Sequence, residues 1–261
     1  MELNALDAAV QTVTDGEIEQ EMAADRARFA CDLPAEDHRR SVRVGLGLRR
    51  LLAAEQCEAF SVNFQAFDRA DRPADTMPFL EISKAMARGL GYAGEGDVLT
   101  AALVGALQRA FGATTFTEVF CPDWAGDSLF LSHMGEINPD VAGDRPRLTV
   151  RPFFSGRAQP PAKLTCAVRP GPAVLVNLAP GPHDTFGLLV APVAVLDESP
   201  ALDPEMRATV RAWVRPAGGV APFLEAYSRA GGTHHSALVL GPRAEALTAF
   251  GRFAGLDVTR L

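Results

Sequence analysis

Helix-like and strand-like hydrophobic patterns alternate along the first half of the chain. Apolar positions recur at helical spacing over residues 15–29, 36–56, 78–90 and 98–111. Between these segments, residues 59–64, 114–121 and 128–134 are rich in the β-branched and aromatic side chains that favour strands. The alternation predicts an α/β layer with a partly parallel sheet.

The pattern changes near residue 140, where charged and turn residues are followed by dense prolines. Short apolar stretches separated by Pro and Gly lie at residues 148–153, 163–168, 173–178 and 185–195, which is typical of a small antiparallel β unit. The end of the chain is mixed, with helices predicted at 223–229 and 243–253 and strands at 236–240 and 256–259. We therefore predict an α/β domain over residues 1–142 and a β-rich C-terminal domain over residues 143–261.

The composition argues against nucleic acid and membranes as partners. The chain has 261 residues, 48% of them hydrophobic, and a formal net charge of -7, so no general attraction to nucleic acid or to an anionic membrane is expected. No apolar run approaches the roughly 20 residues of a membrane-spanning helix, and Met1-Glu2-Leu3-Asn4 lacks the basic start of a secretory signal. These features predict a cytoplasmic protein that does not bind membranes.

Glu95 lies in a glycine-rich segment, Gly91-Tyr92-Ala93-Gly94-Glu95-Gly96-Asp97, directly before the helical pattern at 98–111. The flanking glycines allow a sharp turn, and Asp97 is a suitable N-cap whose helix would favour an ionised Glu95. The spacing is not interpreted as a dinucleotide-binding fingerprint, because that motif follows a strand, whereas a helical pattern precedes these glycines. A capped helix start without chemistry is the alternative.

Three further side chains are candidates for the same site. Glu118 places a charge inside an apolar strand, where it is costly unless paired or bound to a metal, and the end of a strand is a common catalytic position. His133 ends a predicted strand, and His235 follows Gly231-Gly232 and a second histidine, His234. An edge-strand carboxylate and satisfied structural histidines are the alternatives.

Together these residues offer two carboxylates and two imidazoles at well-separated positions, as in a site assembled by the fold. Because His234 and His235 point in different directions if extended, at most one of them binds a given ion. The ligand set suits Mn²⁺ or another octahedral divalent ion better than a closed structural zinc site, and it leaves positions free for substrate oxygens.

The order of these motifs resembles that of L-arabinose isomerase and its L-fucose-isomerase-like relatives. The segments that carry the resemblance are Gly94-Glu95-Gly96-Asp97 followed by Thr100-Ala101-Ala102-Leu103, then Phe116-x-Glu118, His133-Met134-x-Glu136, and Gly231-Gly232-x-His234-His235. The similarity is strongest over residues 87–139 and 229–237, and elsewhere only the order of elements agrees. Relatives have an additional N-terminal α/β domain, so the chain is expected to correspond to their middle and C-terminal domains.

The resemblance implies a sugar isomerase with a catalytic Mn²⁺, or another divalent ion, bound by Glu95, Glu118, His133 and His235. It implies aldose–ketose interconversion through an ene-diol, with Glu95 and Glu118 as the acid/base pair. His234 would line the sugar pocket. A homo-oligomer and a barrel-like C-terminal domain are also implied.

Two departures from the family pattern bear on the substrate. Family members usually continue with Trp and Lys after the first acidic motif, where this chain has Val98 and Leu99, and with an acidic residue and Tyr after the second glutamate, where it has Val119 and Phe120. Two alternative functions follow: a metal-dependent sugar epimerase or lyase, and a non-catalytic sugar-binding or assembly subunit derived from an isomerase.

Overall fold

The computed structural model describes residues 2–153, 157–197 and 204–261. Within these ranges the helices are α1 (Leu3–Gln11), α2 (Asp15–Arg28), α3 (Ala35–Ala54), α4 (Phe79–Ala87), α5 (Val98–Phe111), α6 (Pro204–Arg207), α7 (Val220–Arg229) and α8 (Ala244–Phe253). The strands are β1 (Ala30–Cys31), β2 (Ala59–Ser61), β3 (Gly91–Ala93), β4 (Thr114–Asp123), β5 (Ser128–His133), β6 (Arg147–Val150), β7 (Ala162–Ala167), β8 (Gly171–Pro180), β9 (Phe186–Val195), β10 (Val210–Pro216), β11 (His235–Leu240) and β12 (Asp257–Arg260). Across the described ranges, each helix is too short or too polar to cross a bilayer.

Ten of the strands form one sheet in the order β1-β6-β7-β10-β5-β4-β11-β8-β9-β12. A further pairing of β10 with β9 closes β10, β5, β4, β11, β8 and β9 into a ring whose neighbouring strands are all antiparallel. Parallel pairs lie outside the ring, at β1–β6, β7–β10 and β9–β12, and β2 pairs with β3 in parallel as a separate sheet. The predicted α/β class with a partly parallel sheet is confirmed.

Strand β4 is long enough to pair with different partners along its two halves. Residues 114–118 pair with β11, and residues 118–123 pair with β5. Glu118 is the point where both pairings meet, opposite His235 on one side and Ser132 on the other. Strands from before and after residue 142 thus share the ring, and the predicted domain division at that residue stays a prediction.

Helix α5 packs against β11, β4 and β8 of the ring and also against β2 and β3. Its sequence places Ala101, Leu103, Val104 and Leu107 in the core, as expected from helical spacing. Asp97 caps the helix, because its Oδ1 accepts a hydrogen bond of 2.9 Å from the Thr100 backbone N–H. The predicted cap is present, and it fixes the turn that carries Glu95.

A network of ion pairs joins helices α2, α3 and α4. Glu21 of α2 accepts hydrogen bonds from Arg49 of α3 at 2.6 Å and from Lys84 of α4 at 2.6 Å. Lys84 also reaches buried Asp25 at 2.9 Å, and Asp25 contacts His38 at 3.0 Å. Because the charges are paired and partly excluded from water, the network holds the three helices in register.

Acid is expected to weaken this network at Glu21. Burial alone would raise the pKa of Glu21, but Arg49 and Lys84 lower it from 4.5 to about 2. The ionised carboxylate therefore stabilises the fold above pH 4.5, and this contribution is lost as the pH falls toward 2. Glu21→Gln should flatten the pH dependence of the unfolding free energy in that window, measured by urea denaturation. Glu19→Gln, which changes an exposed carboxylate on the same helix, is the control; equal slopes in both variants would contradict the assignment.

Candidate metal centre

Three of the predicted side chains come from neighbouring strands of the ring. His133 is the last residue of β5, Glu118 lies in the middle of β4, and His235 is the first residue of β11. Both histidines are buried, and their rings pack against Phe116 with centroid distances of 4.8 and 5.0 Å. The pairing register of β4 therefore brings two imidazoles and a carboxylate to one place along the strands.

Glu95 reaches this place from the turn between β3 and α5. Its backbone is in the left-handed region at φ 61°, which is strained for a non-glycine residue, and strained positions are enriched at functional sites. The turn is fixed by Ser61, whose Oγ accepts a 2.8 Å hydrogen bond from the Gly96 backbone N–H. Gly94 must lack a side chain, because a Cβ there would lie 2.6 Å from Cε1 and 3.1 Å from Nε2 of His133.

One ligand atom from each of Glu95, His133 and His235 lies within 4.8 Å of the others. The His235 Nε2 atom is 3.7 Å from Glu95 Oε2, and the two imidazole rings are 5.5 Å apart between centroids. Ligand atoms bound to one ion at roughly 2.1 Å are separated by about 3 to 4 Å. The three groups are thus close to the spacing that a single divalent ion requires.

Each imidazole is oriented by a carboxylate on its Nδ1 atom. His133 Nδ1 lies 2.9 Å from Oε2 of Glu136, and His235 Nδ1 lies 3.0 Å from Oδ2 of Asp97. Glu136 is itself held by a 2.8 Å hydrogen bond from the Tyr92 hydroxyl and is fully buried with it. Carboxylates placed in this way fix the ring orientation and leave Nε2 for the metal.

The Nε2 atom of His235 is buried and has no hydrogen-bond partner in the described part of the chain. A buried polar atom without a partner is costly, and a metal ion would satisfy it. Burial lowers the pKa of His235, His234 acts in the same direction, and Asp97 only partly opposes them, which favours the neutral ring that a metal ligand requires. The residues therefore fit a divalent ion.

The pKa values of the two supporting carboxyls, Glu136 and Asp97, are both lowered, but by different neighbours. Burial would raise the pKa of Glu136, but His133 and the Tyr92 hydroxyl lower it, and Glu136 in turn raises the pKa of His133 although burial opposes this. Burial would also raise the pKa of Asp97, but hydrogen bonds from Thr100 and His235 lower it. Both groups are thus ionised acceptors for the imidazole N–H.

Glu118 lies outside the group of three ligand atoms, although its charge interacts with His133, His234 and Glu95. Burial raises the pKa of Glu118, and the histidines only partly offset this. A carboxyl with a raised pKa, next to a possible metal position, is suited to proton transfer. The roles assigned to the four residues remain predictions. For Glu118, the geometry favours proton transfer over metal binding.

His234 is exposed, next to the buried His235, and the centroids of the two imidazole rings are 4.1 Å apart. Its backbone carbonyl accepts a 2.8 Å hydrogen bond from the Val119 N–H, which leaves the side chain outside the ladder. The preceding loop is fixed by Tyr227, whose ring would lie 2.3 Å from a Cβ at Gly232. The two imidazole rings therefore lie side by side, and among the described residues only His235 of this pair belongs to the group of three possible ligands.

Two details of the sequence interpretation need correction. Helix α4 precedes the segment Gly91–Asp97, as predicted, but the first three residues of the segment form strand β3, so Gly94 and Gly96 themselves follow a strand. Three residues are too short to show a strand pattern. Glu118 is not at the end of its own strand but in the middle of β4, where β11 begins and β5 ends. Antiparallel strands of unequal length, rather than the edge of a parallel sheet, create the position.

The supporting roles of Asp97 and Glu136 were not predicted from the sequence. Asp97 was predicted only as a helix cap, and it serves both the cap and His235 with its two oxygens. Glu136 follows His133 at a spacing of three residues, which is a local signal that could have indicated the pair. No such signal links Asp97 to His235, since 138 residues separate them.

Comparison with known families gives two matches that together cover nearly the whole chain. Residues 1–112 match the L-arabinose isomerase central domain, and residues 113–257 match the L-arabinose isomerase C-terminal domain. Glu95 and Asp97 lie in the first match, and Glu118, His133 and His235 lie in the second. The cluster is therefore assembled from both family domains.

Similar proteins include L-arabinose isomerases of several bacteria. That of a Nocardioides species is 33% identical over 98% of this chain and 52% of the relative, and that of Erwinia tasmaniensis is 33% identical over 84% and 44%. The Mycolicibacterium smegmatis protein is 29% identical over 99% of this chain and 53% of its own length. The chain thus spans about half the length of these curated relatives. From the two domain matches and these identities, the chain belongs to the L-arabinose isomerase family.

Proposed function

We propose that this protein takes part in metal-dependent aldose–ketose isomerisation of L-arabinose or a related sugar. The observation that carries the proposal is the pair of buried imidazoles of His235 and His133, whose Nδ1 atoms are held by Asp97 and Glu136 and which each have a possible ligand atom within 4.8 Å of one from Glu95. Relatives named L-arabinose isomerase support the reaction type. Family membership alone would leave open whether this chain keeps a working site.

Glu95, His133 and His235 would hold the ion, with Glu118 as the fourth ligand or as a group beside it. Mixed oxygen and nitrogen donors suit Mn²⁺, although other divalent ions share this preference. When bound, the ion would supply Lewis-acid polarisation of the sugar carbonyl and the adjacent hydroxyl. During the reaction, the Asp97 carboxylate would keep the His235 ring oriented, and the Glu136 carboxylate would do the same for His133.

Glu118 is the proposed proton carrier, and Glu95 is the second acid/base candidate. In the forward direction, the ionised Glu118 would take the proton from C2 of the aldose, giving the ene-diol, and would return a proton to C1, while the hydroxyl hydrogen of O2 moves to O1. The raised pKa of Glu118 helps, because a stronger base removes a carbon-bound proton more readily. His234, which is exposed beside His235, would contact sugar hydroxyls.

Two exposed apolar side chains flank the proposed ligands. Val98 follows the Glu95 turn and is 70% exposed, and Phe120 follows Glu118 along β4 and is 62% exposed. They occupy positions where the family usually has larger or polar residues. We propose that they alter the range of sugars accepted, which a panel of aldoses would reveal.

The function is tested by incubating the full chain with Mn²⁺ and a panel of aldoses that includes L-arabinose, with product analysis by chromatography. We expect the ketose of the same carbon number. Glu118→Gln should lower the rate by about 10²- to 10⁴-fold, as is typical for loss of a general acid/base. The control is Glu245→Gln, which changes an exposed carboxylate paired with Arg260.

Other products would decide between the alternatives. Formation of an epimer of the aldose would instead indicate an epimerase reaction at the same residues. A product with fewer carbon atoms would indicate a lyase reaction there. Tight Mn²⁺ and sugar binding without any product would indicate a non-catalytic binding or assembly subunit. A ketose formed at the same rate by Glu118→Gln would remove that residue from the proton transfer.

A further inference from the structure

Strand β8 carries a polar side chain, Asn177, among apolar neighbours. Residues 173–176 before it are Ala, Val, Leu and Val, and Leu178 and Ala179 follow it. Asn177 is only 1% exposed, although asparagine is depleted in strands because its side chain competes for main-chain hydrogen bonds. A buried amide in such a strand is therefore expected to have specific partners.

The partners of this amide all belong to the short segment that leads into His235. The Asn177 Nδ2 atom donates to the Thr233 hydroxyl at 2.7 Å and to the His235 main-chain carbonyl at 2.6 Å. Its Oδ1 atom accepts a 3.4 Å hydrogen bond from the Thr233 backbone N–H. Both amide hydrogens and the amide oxygen are thus used to hold residues 233–235.

Strand β11 needs this support because its first residues have a ladder partner on one side only. On the β4 side, His235 lies directly opposite Glu118. On the β8 side, the ladder begins two residues later, at Ala237 opposite Val176. The Asn177 side chain therefore takes the place of a main-chain partner for the His235 carbonyl.

The side chains of Asn177 and His235 belong to opposite faces of the sheet. The His235 ring packs against Phe116, which lies in one of the two core clusters. Asn177 is two residues from Leu175 and shares its face of β8, and Leu175 lies in the other cluster. Asn177 therefore acts on His235 through the main-chain carbonyl, from behind the strand that presents the imidazole.

Tyr227 of α7 holds the same segment from a second direction. Its hydroxyl donates a 2.6 Å hydrogen bond to the Thr233 carbonyl and lies 3.1 Å from the Ser236 Oγ atom. That Oγ atom is 3.4 Å from Asn177 Nδ2, so the three side chains form one polar network. The segment is thus held by β8 and α7 as well as by its ladder with β4.

We propose that Asn177 is a positioning residue that fixes the direction in which the His235 imidazole enters the metal centre. This role rests on the function proposed above, in which His235 is a ligand. Functional side chains must be held within about 0.5 Å of their productive geometry, and a strand end with one ladder partner needs a further anchor for this. Asparagine suits the position because its amide combines two donor hydrogens with an acceptor, whereas leucine of similar size has neither.

Calorimetric titration of the full chain with Mn²⁺ tests the proposal. Asn177→Leu should lower the affinity at least about tenfold, as is typical when an outer partner of a metal ligand is lost. Leu164→Ala truncates a fully buried side chain of β7 and is the control for a general loss of stability. It should lower the thermal unfolding midpoint but keep the Mn²⁺ affinity within a few fold of the original chain.

Thr233→Val is a second variant that keeps the shape of a half-buried side chain, so its fold should survive. It removes the hydroxyl that accepts from Asn177 and lies 3.2 Å from the His235 carbonyl oxygen. The Mn²⁺ affinity should fall by about two- to tenfold, as expected for a single hydrogen bond. If Asn177→Leu does not fold, the same measurements on Thr233→Val decide the outcome.

Proton NMR of the metal-free chain gives a readout that does not depend on the ion. The His235 Nδ1–H group, which Asp97 accepts, should give a slowly exchanging imidazole resonance that is missing from His235→Ala. The resonance should broaden or disappear in Asn177→Leu and persist in Leu164→Ala.

The two measurements separate this proposal from the proposed function. If the original chain does not bind Mn²⁺, the metal centre fails, and the imidazole resonance alone decides the role of Asn177; an unchanged resonance in Asn177→Leu would then overturn it. If the original chain binds the ion, unchanged affinity in Asn177→Leu, or an equal loss in Leu164→Ala, would overturn the proposal.

Discussion

Replacement of His235 by alanine is expected to lower Mn²⁺ affinity by more than about 100-fold, because loss of even a supporting partner of a ligand typically costs about 10- to 100-fold. His235 supplies a buried Nε2 atom that has no other partner among the described residues and lies 3.7 Å from Glu95 Oε2. Glu95→Gln should act in the same direction, because an amide oxygen is a weaker ligand than a carboxylate. Calorimetric titration with Mn²⁺ measures both effects.

His234 provides a matched control for this prediction. It is the same residue type, adjacent in sequence, and exposed at the rim, so His234→Ala should keep Mn²⁺ affinity within a few fold of the original chain. If His235→Ala binds Mn²⁺ as well as the original chain, or if His234→Ala loses the ion instead, the ligand assignment is wrong. Unchanged affinity in both His235→Ala and Glu95→Gln would contradict the metal centre itself.

Replacement of Glu136 by leucine is expected to destabilise the fold by about 3–5 kcal/mol, which is typical when one partner of a buried charged pair is removed. Glu136 is 1% exposed and accepts from both Tyr92 and His133, so its loss leaves a phenol hydroxyl and an imidazole Nδ1 buried without acceptors. The same change should weaken Mn²⁺ binding, since His133 loses its orientation. Urea denaturation and metal titration measure the two effects.

Tyr92→Phe distinguishes a general packing effect from the role of the carboxylate. It removes only the hydroxyl donor, so it should cost about 1.5–3 kcal/mol, the usual range for a hydrogen bond to a charged group. His133 keeps its partner in that variant, and Mn²⁺ affinity should change little. A Glu136→Leu variant as stable as the original chain would argue against the buried pair, and equal metal affinity would remove Glu136 from the support of the centre.

Much of the secondary structure could be predicted because its hydrophobic period is regular. The helix at 98–111 is observed with the same bounds, and the strands predicted within 114–134 and 163–195 are all present. Strand β3 was missed because its three buried residues are too few to show a period, and β10 because Arg211 and Arg215 interrupt its apolar positions. The ring could not be predicted, since closure depends on pairings such as β10 with β9, which no local pattern specifies.

The site was predictable only in part, for a related reason. Glu95 and His235 stood out because glycines surround them, and the structure gives those glycines a cause in the close approach of His133 to Gly94 and of Tyr227 to Gly232. The contact between Asp97 and His235 depends on how α5 docks against β11, which the sequence does not encode locally. The order of the motifs is visible in the sequence through its resemblance to a family, whereas the contacts of Asp97 and Glu136 with the histidines form only in the folded chain.

The arrangement of α5 against the ring has a thermodynamic consequence. Glu95 and Asp97 lie at the N-terminus of α5, whereas both histidines belong to the ring. A bound ion would therefore add a further link between two parts of the protein that already meet through apolar contacts and the hydrogen bond between Asp97 and His235. Ion affinity and docking of the helix are then linked quantities, and each strengthens the other by the same free energy. In the metal-free protein, the contact between α5 and the ring should therefore open first. A bound ion would stabilise this contact by a free energy that rises with the free ion concentration.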